Sequence, residues 1–210
     1  MQFILEIFDN ATECIEHEVR FEAGGDEIAA CLGLDALLAH RVYRLDSADV
    51  VRVERRFQLR LPEGAEIVML RARNRPLDEL PYMLHTNREL RMMLSGTKPL
   101  SAFCGQYPPH SDVEEIPERL FDPFVEAGRF VKREYVEPLR DGPVRGIHHV
   151  LYALPGESWR IDAYILMQDE AARAGWNEGF ERMQGSLLGY ESWQNDIHIT
   201  KMRKRADERK

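Results

Sequence analysis

Cysteine is scarce in this chain: Cys14, Cys31 and Cys104 are the three present, scattered and odd in number. With no C-x-x-C pair, neither a disulfide framework nor a cysteine-based zinc knuckle is expected. No apolar run reaches the ~18 residues a membrane span needs. The opening MQFILEIFDNATE has no cation before its short apolar run and no small-residue cleavage site after it, so no secretory signal is expected and the cytosol is the expected location. Also missing are a Gly-rich phosphate loop, a G-x-S-x-G nucleophile turn and an H-E-x-x-H metal helix. No cofactor and no metal is expected, and any catalysis has to come from polar residues that the fold assembles.

What the chain does have is enough apolar sequence to fold, 44% hydrophobic against 30% charged over 210 residues. Its charge is unevenly placed. Residues 1–50 hold eleven carboxylates against three arginines, a balance of −8 that equals the net charge of the whole chain. The far end is basic, with Lys201, Arg203, Lys204, Arg205, Arg209 and Lys210 against Asp207 and Glu208. An acidic front and a basic tail point to partners of opposite sign.

Period-2 alternation predicts strands at 2–8 (QFILEIF) and 13–21 (ECIEHEVRF), joined by a turn at Asp9-Asn10-Ala11-Thr12. A short helix capped by Asp26 and ended by Gly33 should follow. Next come a strand at 40–45, a helix opened by Asp46 with Asp49 in its first turn, and a strand at 66–71. Together these form a ββαβαβ-like unit over 1–73. The polar, proline-punctuated stretch around Arg75-Pro76 and Pro81 is the expected boundary.

The second lobe, 82–200, is expected to be an antiparallel meander packed with helices, followed by a basic tail at 201–210. Thr86 and Glu89 match a capping box, and Ser111 with Glu114 offers another. Runs 129–137, 144–153 and 158–167 stand at hairpin spacing around turns at 140–143 and 155–157. A helix capped by Asp169 should carry Trp176, Phe180, Met183, Leu187 and Leu188. Its Gly175, Gly179 and Gly185 suggest close packing on the sheet, and 193–199 (WQNDIHI) reads as an edge strand. The expected class is α+β in two lobes.

Candidate chemistry is dispersed. His85 and Arg88 stand at the start of a predicted helix, where free amides favour an anion; a well-capped helix with a solvated arginine explains them as well. His148 and His149 point to opposite faces of one strand, so at most one can serve a site. If 144–153 pairs with 158–167, Asp162 falls near His149 and a carboxylate could orient the imidazole. A packed histidine and a rim ion pair are the plainer alternative. Gln194, Asn195, Asp196 and His198 suit a ligand or a turn. The basic tail suits phosphate contacts, but a solvated terminus accounts for it and nucleic acid is not the expected partner. The carboxylates of the first lobe, Glu13, Glu16 and Glu18 foremost, suit a basic protein partner.

The stretches FILEIFDNATECIEHEV and CLGLDALLAHRVYRLDSADVVRVERRF, over roughly residues 1–60, resemble small bacterial proteins that include immunity-protein-like members. The resemblance implies a bacterial binding module and transfers no site residues. It favours a cytoplasmic interaction protein, of a toxin-neutralising or defence-associated kind. The alternative is a hydrolase-like enzyme with a pocket built from His85, Arg88, His149 and Asp162.

Overall fold

The computed structural model describes residues 1–38, 40–73, 79–109, 116–139 and 144–208. The class is α+β: among the described residues there are seven helices and two antiparallel sheets, of four and three strands. The chain divides into two compact units, Met1–Arg88 and Glu89–Lys210. Most of the polar stretch expected to separate the lobes, residues 74–78, lies outside the described residues.

The first unit contains β1 (Gln2–Phe8), β2 (Ile15–Glu22), α1 (Gly25–Leu32), β3 (Val42–Leu45), α2 (Ser47–Phe57) and β4 (Ile67–Ala72). This is the ββαβαβ order that alternation predicts, laid out as β2-β1-β4-β3. Phe3, Leu5 and Ile7 of β1 join Val68, Leu70 and Leu45 in a core closed by Ile28 of α1 and Val53 of α2. The β1–β2 turn is held by the Asp9 carboxylate, which accepts from the Thr12 amide and hydroxyl at 2.7 and 2.6 Å. Asp46 caps α2 by accepting from Asp49 N at 2.7 Å. The cap of α1, however, is Gly24 and not Asp26: the Glu27 carboxylate reaches back to Gly24 N at 3.0 Å. Asp26, one position earlier, helps only through the helix dipole.

The second unit contains α3 (Glu89–Leu94), β5 (Leu100–Tyr107), α4 (Glu118–Glu126), β6 (Val131–Pro138) and β7 (Gly146–Ala153). After a 3-10 turn at Pro155–Glu157 come α5 (Trp159–Ala174), α6 (Glu178–Leu187) and α7 (Ser192–Glu208). The sheet order is β5-β7-β6. One face carries Leu100, Leu151 and Ala153 against Ile161, Tyr164 and Met167 of α5 and Leu187 of α6. On the other face Phe103 meets Phe121 of α4 edge-on and Tyr152 lies tilted against the same ring, which also meets Phe130.

Several expectations fail in this unit. Residues 158–167 are helix, not strand: Ile161, Tyr164, Met167 and Ala171 are buried at helical spacing, and Pro155-Gly156 opens a helix rather than a hairpin. Residues 193–199 are also helical, with Asn195 and Ile199 buried four apart. The basic run to Glu208 is therefore the end of α7, where cations suit the helix dipole. Asp169 lies inside α5. The cap of α6 is Asn177, whose Oδ1 accepts from Gly179 N at 2.8 Å, and Trp176 precedes that helix. Thr86 caps nothing, because α3 starts at Glu89; Asn87 takes a left-handed φ of 60° and gives its carbonyl to Ile15 N at 2.7 Å. The Ser111–Glu114 box and the turn at 140–143 lie outside the described residues.

Candidate functional site

The acidic candidates collect on an edge. β2 terminates its sheet, and Glu16, His17, Glu18, Arg20 and Glu22 are exposed along it. Hydrogen bonding fixes which main-chain groups face outward. Ala23 N donates to Met1 O at 3.1 Å and Arg73 N to Gln2 O at 2.7 Å. Main-chain polarity alternates in an antiparallel ladder, so Gln2, Ile4 and Glu6 address β4. Their β2 partners Glu22, Arg20 and Glu18 turn their N–H and C=O groups away from the sheet. Glu18 shows the consequence: the residue is exposed while its side chain is only 26% so, leaving its main chain open.

Glu13 is exposed at the close of the turn with φ 49°. Glu18 faces inward electrostatically: its carboxylate lies 3.4 Å from the Arg88 guanidinium and 3.6 Å from Arg20. The fold thus joins two sequence candidates, Glu18 and Arg88, in an ion pair that ties residue 88 to β2. Beside it Glu6 and Arg71 form a pair at 2.6 Å with side chains 9% and 12% exposed. Further bases from outside residues 1–50 meet the acids of the front: Arg56 reaches Glu27 at 2.7 Å, and Arg52 bonds Asp49. The unit is less acidic than its first fifty residues. The carboxylates of β2 stand out for that reason. His85 is buried, its carbonyl accepting from Arg88 N at 2.9 Å in the turn that precedes α3.

In the second unit His149 and Asp162 go to different partners. The His149 imidazole stacks on Tyr135 at 4.7 Å, and its Nε2 lies 3.3 Å from the Glu137 carboxylate. Asp162, on α5 and 72% exposed, lies 3.5 Å from Arg133. The hairpin that would have joined them does not exist. Register instead sets Cys104 opposite His149 and His149 opposite Tyr135, so β5, β7 and β6 bring a thiol, an imidazole and the Glu137 carboxylate to one face. Burial pushes the Tyr135 phenol up to about 12. His148, on the other face, lies 3.5 Å from Glu134. Of the C-terminal group, Asn195 donates to Ser186 Oγ at 3.2 Å, Asp196 bonds Arg182, and His198 lies 2.8 Å from Glu181. All three tie α7 to α6.

Sequence reasoning passed over two lysines. Lys98 is 2% exposed and donates to Leu188 O at 3.1 Å, while Arg160 donates to Ser186 O at 2.9 Å, so two cations meet the C-terminal carbonyls of α6. Burial lowers the Lys98 amine to about 8, against an opposing pull from Glu89. Lys132 sits between Glu118 at 2.6 Å and Asp122 at 2.9 Å. Burial opposes its charge, but those carboxylates outweigh it and hold its pKa above the ordinary range. Asp122 also accepts from the Tyr152 hydroxyl at 2.8 Å, and burial followed by that bond pushes the phenol far up. No local motif announces either lysine; each acquires its partners only by folding.

Among the described residues no cluster of three or more His, Cys, Asp or Glu is arranged to hold a metal, and no helix is long and apolar enough to cross a membrane. No protein-family model, no curated protein and no solved structure matches the chain.

Proposed function

We propose that the chain is a bacterial cytoplasmic interaction module of the toxin-neutralising or defence-associated kind, whose Met1–Arg88 unit engages a basic protein partner. The observation that supports this is the exposed, acidic edge strand β2, with Glu16, Glu18 and Glu22 along eight residues. Carboxylates on an accessible edge both attract a basic surface and keep like-charged copies apart. The test is affinity capture from native lysate at low and moderate salt, comparing the natural chain with a Glu16→Lys/Glu22→Lys variant. Glu18 is spared because it anchors Arg88. A single basic protein held at low salt, released at moderate salt and lost from the variant is the expected result; retention indifferent to the charge reversal defeats the reading.

A second reading is hydrolase-like chemistry centred on His149, with Glu137 in the orienting role first expected of Asp162. It is favoured by Cys104, His149 and Glu137 sharing one sheet face. An imidazole working on the thiol would make alkylation of Cys104 slow at least tenfold at pH 7 in a His149→Gln variant. An unchanged rate removes this reading.

A further inference from the structure

We infer that the outer edge of β2 receives an extended segment of the basic partner by strand addition. This specifies the geometry of the interaction proposed above and rests on it. Glu18, Arg20 and Glu22 present outward N–H and C=O groups at every second residue, a repeat of ~7 Å that an added strand matches. Among the described residues no strand pairs with that side of β2; the Asn87 carbonyl meets Ile15 N at its beginning. A register shift between Ile7 and Phe8, which leaves Glu16 unpaired between Ile15 and His17, marks where the regular edge starts.

The side chains carried by those outward residues set the partner's chemistry. Glu18, Arg20 and Glu22 stand on one face in the order acid, base, acid. An incoming strand with Lys or Arg, then Asp or Glu, then Lys or Arg at alternate positions meets each with its opposite, and cross-strand charge pairs of this kind are favourable where like pairs are not. A second copy of the chain is the poorer occupant: with Glu16 included, each edge brings three carboxylates and one arginine, so two such edges oppose like charges. A basic segment relieves that imbalance.

The experiment uses the full chain and two end-blocked peptides: Thr-Lys-Thr-Glu-Thr-Lys-Thr, and the same peptide N-methylated at both lysines and the glutamate, which keeps every charge and removes the amides that face β2. Calorimetry should show binding of the first and at least a tenfold loss for the second. Amide exchange should slow at least tenfold at Glu18, Arg20 and Glu22, and little at Val19 and Phe21, already bonded to β1. Arg20→Pro removes an outward N–H without breaking a ladder bond and should weaken binding at least tenfold, while Arg20→Gln should not. Equal affinity for the two peptides, with no change in exchange along β2, overturns strand addition and leaves the basic-partner reading standing. If neither the peptide nor poly-lysine binds, both fall. A dimer in sedimentation that Arg20→Pro dissolves puts a second copy on the edge and overturns the assignment of the occupant.

Discussion

Lys98 is the most deeply buried charged residue among those described, and its setting carries a pH dependence of definite sign. Its folded-state pKa, about 8, lies below the ordinary value of 10.5. Between those two values the unfolded chain binds more protons than the folded one, so stability rises with pH across that window. Below pH 8 the amine is charged in both states and its burial is a standing cost. The stability difference between the natural chain and Lys98→Met should therefore grow in favour of the natural chain by roughly 2 kcal/mol from pH 7 to 9.5. Denaturant titrations at several pH values measure this. Staying below pH 10 matters because Tyr135 and Tyr152, whose phenols are raised by burial, act in the opposite sense above it. A difference independent of pH means that the amine is solvated and still charged in the native state, with the same pKa folded and unfolded.

Between elements, α6 and α7 pack closely at Gly185. Gly185 leaves no room for a methyl group, since a Cβ there would run into the Asn195 amide, itself 7% exposed and bonded to Ser186. Alanine is the better helix former by ~1 kcal/mol, yet overpacking costs ~1–3 kcal/mol. Gly185→Ala should therefore destabilise by about 1 kcal/mol net, and Gly156→Ala, where a Cβ meets nothing within 4 Å, should not. Thermal or chemical unfolding decides between them. Of the three glycines read as close packing on the sheet, only Gly185 meets a neighbouring element, and that element is α7. Gly175 ends α5 with a φ of 82° and open space around it, and Gly179 meets only the Asn177 side chain that caps α6. Cap chemistry was similarly half legible. Asp46 with Asp49 worked as read, whereas Thr86 with Glu89 failed because Asn87 was drawn into a left-handed turn by its bond to Ile15. That bond joins residues far apart in sequence, and no local rule anticipates it.

For the whole molecule, the net charge of −8 bears on encounter more than on affinity. Many acids of the first unit already have arginine partners, so the field a partner meets at a distance is diffuse and screened within ~8–10 Å at physiological salt. Raising ionic strength from ~50 to ~300 mM should slow association of the captured partner about tenfold and change dissociation little. Kinetics by surface plasmon resonance resolve the two. A salt effect confined to dissociation would mean that close contacts, not the field, carry the charge dependence.

The sequence by itself determined the α+β class, the strand and helix order of the first unit and the turn at Asp9, because these rest on alternation, capping and turn preferences that act over a few residues. It also placed the acid-rich stretch. Only the tertiary structure decided that 159–174 and 192–208 are helices. The strand expectation for them rested on short runs around Trp159, Ile161, Tyr164 and Ile165 and around Trp193, Ile197 and Ile199. For the first it is the face of Ile161, Tyr164 and Met167 packed on the sheet that settles the helix. Tertiary structure likewise gave His149 to Glu137 and Asp162 to Arg133, and it made β2 an edge with its polar groups turned outward. Periodicity states which side of an element is buried. Which element lies against it follows from register and chain crossing, and those are properties of the folded whole.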